Sequence, residues 1–343
     1  MPTLEYDRLV FRFPEIEPEA QFAIDFQRTL RVPDTEQTYP LPAGLGNFPV
    51  RHVEDHMRNL PAKTAERGGV ILPMWQAEAM WLNFSNYGGL TGLDFPVAIK
   101  VAAGKINAVS GDAWRTGLHR DPQDYMVSPL QPWLDGFAIE KGVIRQFVAM
   151  PLGDGCSVEE QVTGEAEWGG MQIAVTPVKR EVWDRLRKEH ANRGVRRRSF
   201  LEDCGDRTGI SLSMMGMATG GRMKQAIYPD RYGIADWDES QTQRVFVSLV
   251  HGKDWTKVTG EPATRHPPSP KKYAEAKIPW FDYYGADTKD CAALLGSEKL
   301  EGVKSVANKF KETTGSDLAS ADDVVIEERI VLHTKREGFR EVK

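Results

Sequence analysis

Thirty-one glycines and twenty-one prolines punctuate this 343-residue chain, and that punctuation limits the folds open to it more than any other feature. Proline removes a backbone donor and interior glycine weakens a helix, so a bundle of long helices is excluded. Short elements joined by turns remain. A content of 41% hydrophobic residues, with nine tryptophans, is enough for a sizeable core.

The turn signals separate segments of different period. RLVFRF (8 to 13) and FAIDFQRTLRV (22 to 32) alternate as strands do, and PDTEQTYPLPAGLGNFP after them reads as a loop. RHVEDHMRNL (51 to 60) reads as a short helix stopped by Pro61. PMWQAEAMWLNF (73 to 84) reads as a second helix with Trp75, Ala79 and Leu82 on one face. VAIKVA and INAVSG flank the tight turn Ala103-Gly104-Lys105, a hairpin pattern. Two more hairpins are expected, one joining VIRQFVAMPL (143 to 152) to MQIAVTPV (171 to 178). The other turns at Thr219-Gly220-Gly221 between GISLSMMGMA and RMKQAIYP. A helix is expected from Pro177 to near Gly194, with Val178, Val182, Trp183 and Leu186 inward. An amphipathic helix in LEGVKSVANKFKETTG and a last strand in VVIEERIVLHT follow. The pattern predicts an α+β fold of mainly antiparallel hairpins with several short packed helices. One compact unit over 1–343 is expected, with 261–280 as a proline-rich surface arm or linker.

Composition narrows the function classes. A net charge of −5 and a pI near 5.9 argue against non-specific nucleic-acid binding. No apolar run reaches 18 residues and the N-terminus lacks an apolar signal core, so no membrane span is expected. Cys156, Cys204 and Cys291 are odd in number and far apart, which disfavours a disulfide framework and points to a reducing cytoplasm.

The candidate chemistry is local and incomplete. His52 and His56 are four apart in HVEDH, the spacing for two metal ligands on a helix. The glutamate beside the first histidine of a zincin is missing, and His119 or Asp55 would have to be the third ligand. In MPLGDGCSVEEQVTGEAEWGG (150 to 170), Gly153-Asp154-Gly155 can present N–H groups to an anion, yet neither a dinucleotide fingerprint nor a Walker loop is present. Glu159, Glu160, Glu165 and Glu167 in the same stretch are candidates for a general acid and base, and Cys156 for a thiol nucleophile. A structured hairpin connection is the simpler reading of this stretch. Nine Lys or Arg between Lys179 and Arg198 against three acids make a basic run. Its Arg196, Arg197 and Arg198 suit a phosphate-bearing ligand or an acidic partner. Polar residues inside apolar stretches, Gln76, Glu78, Arg145, Gln146 and Glu160, need partners if buried, and Arg145 with Glu78 or Glu160 is the expected hidden ion pair.

YPLPAGLGNFPVRHVEDH, RGGVILPMWQAEAMWLNF, VAIKVAAGKINAVSG, VIRQFVAMPLGDGCSVEEQVTGE and IPWFDYY together resemble a group of full-length hypothetical proteins from bacteria and filamentous fungi. The resemblance spans nearly the whole chain and implies a single unit; it implies no catalytic residue and no cofactor. Two functions are therefore weighed. The first is a non-catalytic protein that self-associates, as a homo-oligomer, or binds a partner or anionic ligand. The second is an enzyme whose site is built from glycine-rich loops with Glu78, Arg145 and Glu160.

Overall fold

A computed structural model describes residues 1–89, 92–191, 214–284, 293–318, 326 and 329–333. It is an α+β fold, mostly antiparallel sheet with several short helices. Strands β1 (Thr3–Glu5) and β2 (Arg8–Arg12) turn at Tyr6 and Asp7, both at positive φ, the geometry of a two-residue hairpin. β3 (Ala20–Thr29) pairs next to β2, as the alternation of Phe22, Ile24 and Phe26 requires. The proline-broken stretch after it yields only fragments: β4 (Thr38–Tyr39), β5 (Leu41–Pro42), β6 (Gly44–Asn47) and β7 (Arg51–His52).

The two helices expected between 51 and 84 are corrected. His52 ends β7, and only Glu54–Asn59 coils, as a 3₁₀ segment, before α1 (Ala62–Arg67). Residues 73 to 84 are not helical: β8 (Val70–Met74) ends there, and β9 (Ala79–Gly88) begins after a turn with Ala77 at φ 63°. Met80, Leu82 and Phe84 alternate inward at period two, while Trp75, Ala79 and Leu82 in the same stretch also fit a helical face. The ten-residue ladder with β3 decides between the two.

β10 (Val97–Ala103) and β11 (Ile106–Asn107) form the expected hairpin about Gly104. Next come β12 (Met126–Ser128), β13 (Trp133–Leu134), β14 (Gly136–Glu140), β15 (Val143–Pro151), α2 (Val158–Thr163) and β16 (Met171–Pro177). β15 and β16 do not pair with each other. β15 lies between β14, β9 and β17 (Met214–Lys224), and β16 lies between β10 and β18 (Gln243–His251). α3 (Arg180–Ala191) buries Val182 and Trp183 as its spacing predicts.

The hairpin expected at Thr219-Gly220-Gly221 is also corrected. β17 runs straight through these residues, and a register shift there leaves one extra residue opposite β15, a β-bulge. A Cβ on Gly221 would come within 2.1 Å of the Pro33 carbonyl oxygen. The glycine therefore serves a close approach of two chains rather than a reverse turn.

The main sheet runs β1-β2-β3-β9-β15-β17-β18-β16-β10-β12 with every step antiparallel. β4 and β8 join β17 and β18 in parallel. α4 (Trp255–Thr259), α5 (Pro270–Glu275), β19 (Trp280–Tyr284), α6 (Glu298–Glu301), α7 (Val306–Thr314) and β20 (Arg329–His333) complete the order. The single amphipathic helix expected near 300 to 315 is two, because Gly302 ends α6 and Ser305 caps α7. One large core, including Phe11, Phe22, Phe26, Phe95, Phe137, Phe147 and Trp183, lies against this sheet. A smaller cluster holds Tyr273 of α5 and Trp280 of β19 against Leu30, Val32 and Leu41. Among the described residues no helix is long and apolar enough to cross a membrane.

Candidate binding face

In the glycine-rich stretch 150 to 170, the backbone does form an anion cradle, and the chain fills it itself. The N–H groups of Gly153 and Gly155 donate to Glu160 Oε1 at 2.8 and 3.0 Å, while Ser157 N and Oγ donate to Oε2 at 3.1 and 2.6 Å. Ser157 in turn accepts from the Glu160 N–H, a capping box at the start of α2. Glu160 thus acts as an internal ligand of its own loop. Glu160→Ala is expected to cost about 2 kcal/mol, since it strands several charge-assisted donors; urea unfolding would measure it, and a loss near zero would refute this role.

The other candidates in the stretch are also committed. Cys156 is buried, and burial pushes its thiol up to about 11, which disfavours the thiolate that a nucleophile needs. Glu167 pairs with Lys105 at 2.8 Å. Glu159 is buried and accepts from Gly169 N at 2.8 Å and Trp168 N at 3.2 Å. Its carboxyl packs where Gly104 has no Cβ.

The expected partners of Arg145 are wrong on both counts. Glu78 is buried against Arg28 and accepts from Trp75 N at 2.8 Å; Glu160 caps α2. Arg145 instead donates to the Val303 carbonyl at 3.0 Å. Gln146, fully buried, ties the neighbouring chain by accepting from Val32 N and donating to the Leu30 carbonyl. His52 and His56 do not share a helix, and His119 is taken by Asp124. Among the described residues no three His, Cys, Asp or Glu side chains are arranged to hold a metal. Arg196, Arg197 and Arg198 lie outside the described residues. A surface groove of about 530 Å³ beside α2 and α6 is ringed by Lys299, Lys304 and Lys309, each already in an ion pair, Lys299 with Asp112 and the other two sharing Glu312.

What the structure does assemble lies on the outer face of β10, β16 and β18. Their register sets Lys100, Ala174 and Arg244 in one row and Ala102, Gln172 and Phe246 in the next. Small alanines leave room above the sheet, and aromatic side chains from neighbouring loops fill it as an alternating stack with cations. Lys105 Nζ and the Arg67 guanidinium lie 4.6 and 4.7 Å from the Trp168 ring. Arg67 and Arg244 lie 5.6 and 4.7 Å from Phe246, and Arg244 and Lys100 lie 5.0 and 5.2 Å from Trp114. Stacking holds each guanidinium plane while leaving its edges for hydrogen bonds.

Neither Arg67 nor Arg244 has a carboxylate in salt-bridge contact among the described residues. Arg67 donates to the Trp168 carbonyl at 2.8 Å, and Arg244 to Gln172 Oε1. Partial burial draws both guanidiniums below their ordinary range, and the Glu159 and Glu167 carboxylates oppose that pull on Arg67 only. The Trp168 Nε1 donor is buried and also unpartnered among the described residues. At the far end of the row, Asp124 Oδ2 accepts from Lys100 Nζ at 2.6 Å and meets His119 Nδ1 at 3.0 Å. Lys100 gives its other two protons to the Arg115 and Gly117 carbonyls, so it tethers the 112–124 loop and has none left for acid–base work.

Sequence reasoning passed over this face because its residues come from 67, 105, 114, 168 and 244 to 246. One signal was present: single polar residues, Lys100, Gln172 and Arg244, interrupt otherwise apolar strands. No family model, curated protein or solved structure matches the chain.

Proposed function

We propose that this is a non-catalytic binding protein that takes an acidic partner or an anionic ligand on the outer face of β10, β16 and β18. The observation that carries the reading is the pair Arg67 and Arg244, each stacked on aromatic rings and neither salt-bridged. A guanidinium already fixed in its plane loses little freedom when it receives a carboxylate or phosphate, so its fork is pre-organised. The chain carries a net charge of −5, which makes a second copy one acidic partner to test. The alternative, an enzyme with its site at the glycine-rich loops and Glu78, Arg145 and Glu160, has less to support it, because these side chains bond to Arg28, the Val303 carbonyl and the α2 cap respectively.

Titration calorimetry at low salt with a hexaglutamate peptide and with tripolyphosphate tests the proposal. Arg244→Gln is expected to weaken binding by about tenfold, the share of one charged hydrogen-bonding group, and Arg67→Gln by a similar factor. Equal affinity in wild type and both variants would end this reading. Sedimentation of the wild-type protein at low and high salt tests the second-copy case, because association through this face must weaken as salt screens it.

A further inference from the structure

The bulge at Gly220-Gly221 lies beside a second charge arrangement, between β15 and β17. Antiparallel register puts Arg145 directly across from Arg222. Like charges directly opposite on adjacent strands repel and are normally selected against. Both are largely covered by protein; the Arg222 side chain is 14% exposed. Arg222 has one good carboxylate, Glu140 at 2.6 Å, and a longer contact to the exposed Glu36 at 3.6 Å. Arg145 has no salt bridge among the described residues; it donates to the Val303 carbonyl, and the Glu36, Asp34 and Glu301 carboxylates act on it from beyond contact distance.

The Nε–H groups of both arginines are buried with no partner among the described residues. Each Nε–H forms, with a neighbouring terminal N–H, the fork that grips two oxygens of one anion. Two guanidiniums held together with both Nε–H groups unsatisfied are a cost the fold carries unless a compact anion resolves it. The segments around them converge from distant parts of the chain. Thr38 of β4 pairs opposite Arg222, Asp34 accepts from Ala307 N at 2.8 Å, and Thr219 donates to the Lys304 carbonyl at 2.9 Å.

We propose that Arg145 and Arg222 form a binding site for a phosphate-class oxyanion, either free phosphate or the head of a phosphomonoester. The anion bridges the two guanidiniums through their Nε–H groups and adds a counter-charge to those of Glu140 on Arg222 Nη2 and Glu36 near its Nη1. This site is independent of the outer face described above, which uses neither arginine.

Calorimetry and thermal unfolding of the full chain with inorganic phosphate, and separately with glycerol 3-phosphate, test it against chloride of equal ionic strength. The expected result is saturable binding of at least one of the two and a rise in Tm of about 2 °C or more, lost in Arg145→Gln and in Arg222→Gln. Arg145→Gln also relieves the like-charge pair, so without phosphate it is expected to melt no lower than wild type. A phosphate response lost in Arg244→Gln but kept in Arg145→Gln and Arg222→Gln would place the anion on the outer face and overturn this site, which separates failure of this site from failure of the outer face. No binding of either anion by the wild-type protein overturns the proposal. So does a phosphate response that survives in both Arg145→Gln and Arg222→Gln.

Discussion

Replacing Asp135 by Asn is expected to stabilise the protein at pH 8 by about 2 kcal/mol and to flatten its stability between pH 4 and 7. Asp135 sits just before β14, 5% exposed, and among the described residues its carboxylate accepts from one donor, Trp133 Nε1 at 2.5 Å. Among the described residues no cation faces it, and burial pushes its carboxyl up to about 7 from an ordinary 3.8, against the Trp133 hydrogen bond. The folded state therefore holds a proton that the unfolded state releases. Stability from this group is full below about pH 4, falls as pH rises through 7, and is level above that. A rise of that size corresponds to at most about 4 kcal/mol, and an Asn that must seat an extra N–H₂ gives part of it back. Urea unfolding at pH 5 and pH 8 reads the effect. An identical pH slope in wild type and Asp135→Asn would show that Asp135 does not carry it.

Arg28→Ala is expected to cost about 3–5 kcal/mol, because it leaves a carboxylate buried with no counter-charge. The Glu78 side chain is 0% exposed and that of Arg28 15%. Arg28 Nε donates to Glu78 Oε1 at 2.7 Å, and its Nη2 also reaches the Arg265 carbonyl at 2.6 Å, tying in the proline-rich 261–269 stretch. Burial raises the Glu78 carboxyl even with Arg28 present, so removing the arginine adds to an existing strain. The double variant Arg28→Ala, Glu78→Gln is expected to regain part of the loss. A single variant within 1 kcal/mol of wild type by denaturant unfolding would contradict this account.

These two groups also show where a sequence stops being readable. Glu78 was recognisable as a polar residue needing a partner, but its partner sits 50 residues upstream on β3. Arg145 attracted the same reasoning, and the chain gives it a like charge instead. Charge and spacing say that a buried ion requires compensation; they do not say which distant strand comes to lie beside it. The Glu160 cradle is the opposite case. Its donors lie within seven residues of the acceptor, so Ser157 and Glu160 three apart were a legible capping signature.

What the sequence by itself determined is the class of fold and the elements whose pattern is local. Glycine and proline kept the elements short, period two marked β2, β3, β10 and β15, and helical spacing marked α3 with Val182 and Trp183 inward. The tertiary structure alone decided the rest. Residues 73 to 84 match both periods, and only the ladder with β3 makes them a strand. Thr219-Gly220-Gly221 would suit a turn, yet the approach of Pro33 makes it a bulge. The outer face exists because the registers of β10, β16 and β18 align Lys100 with Arg244 and Gln172 with Phe246. The reason is physical: a local pattern sets which face of an element is apolar, whereas strand pairing is a choice among distant edges made by the packing of the whole core.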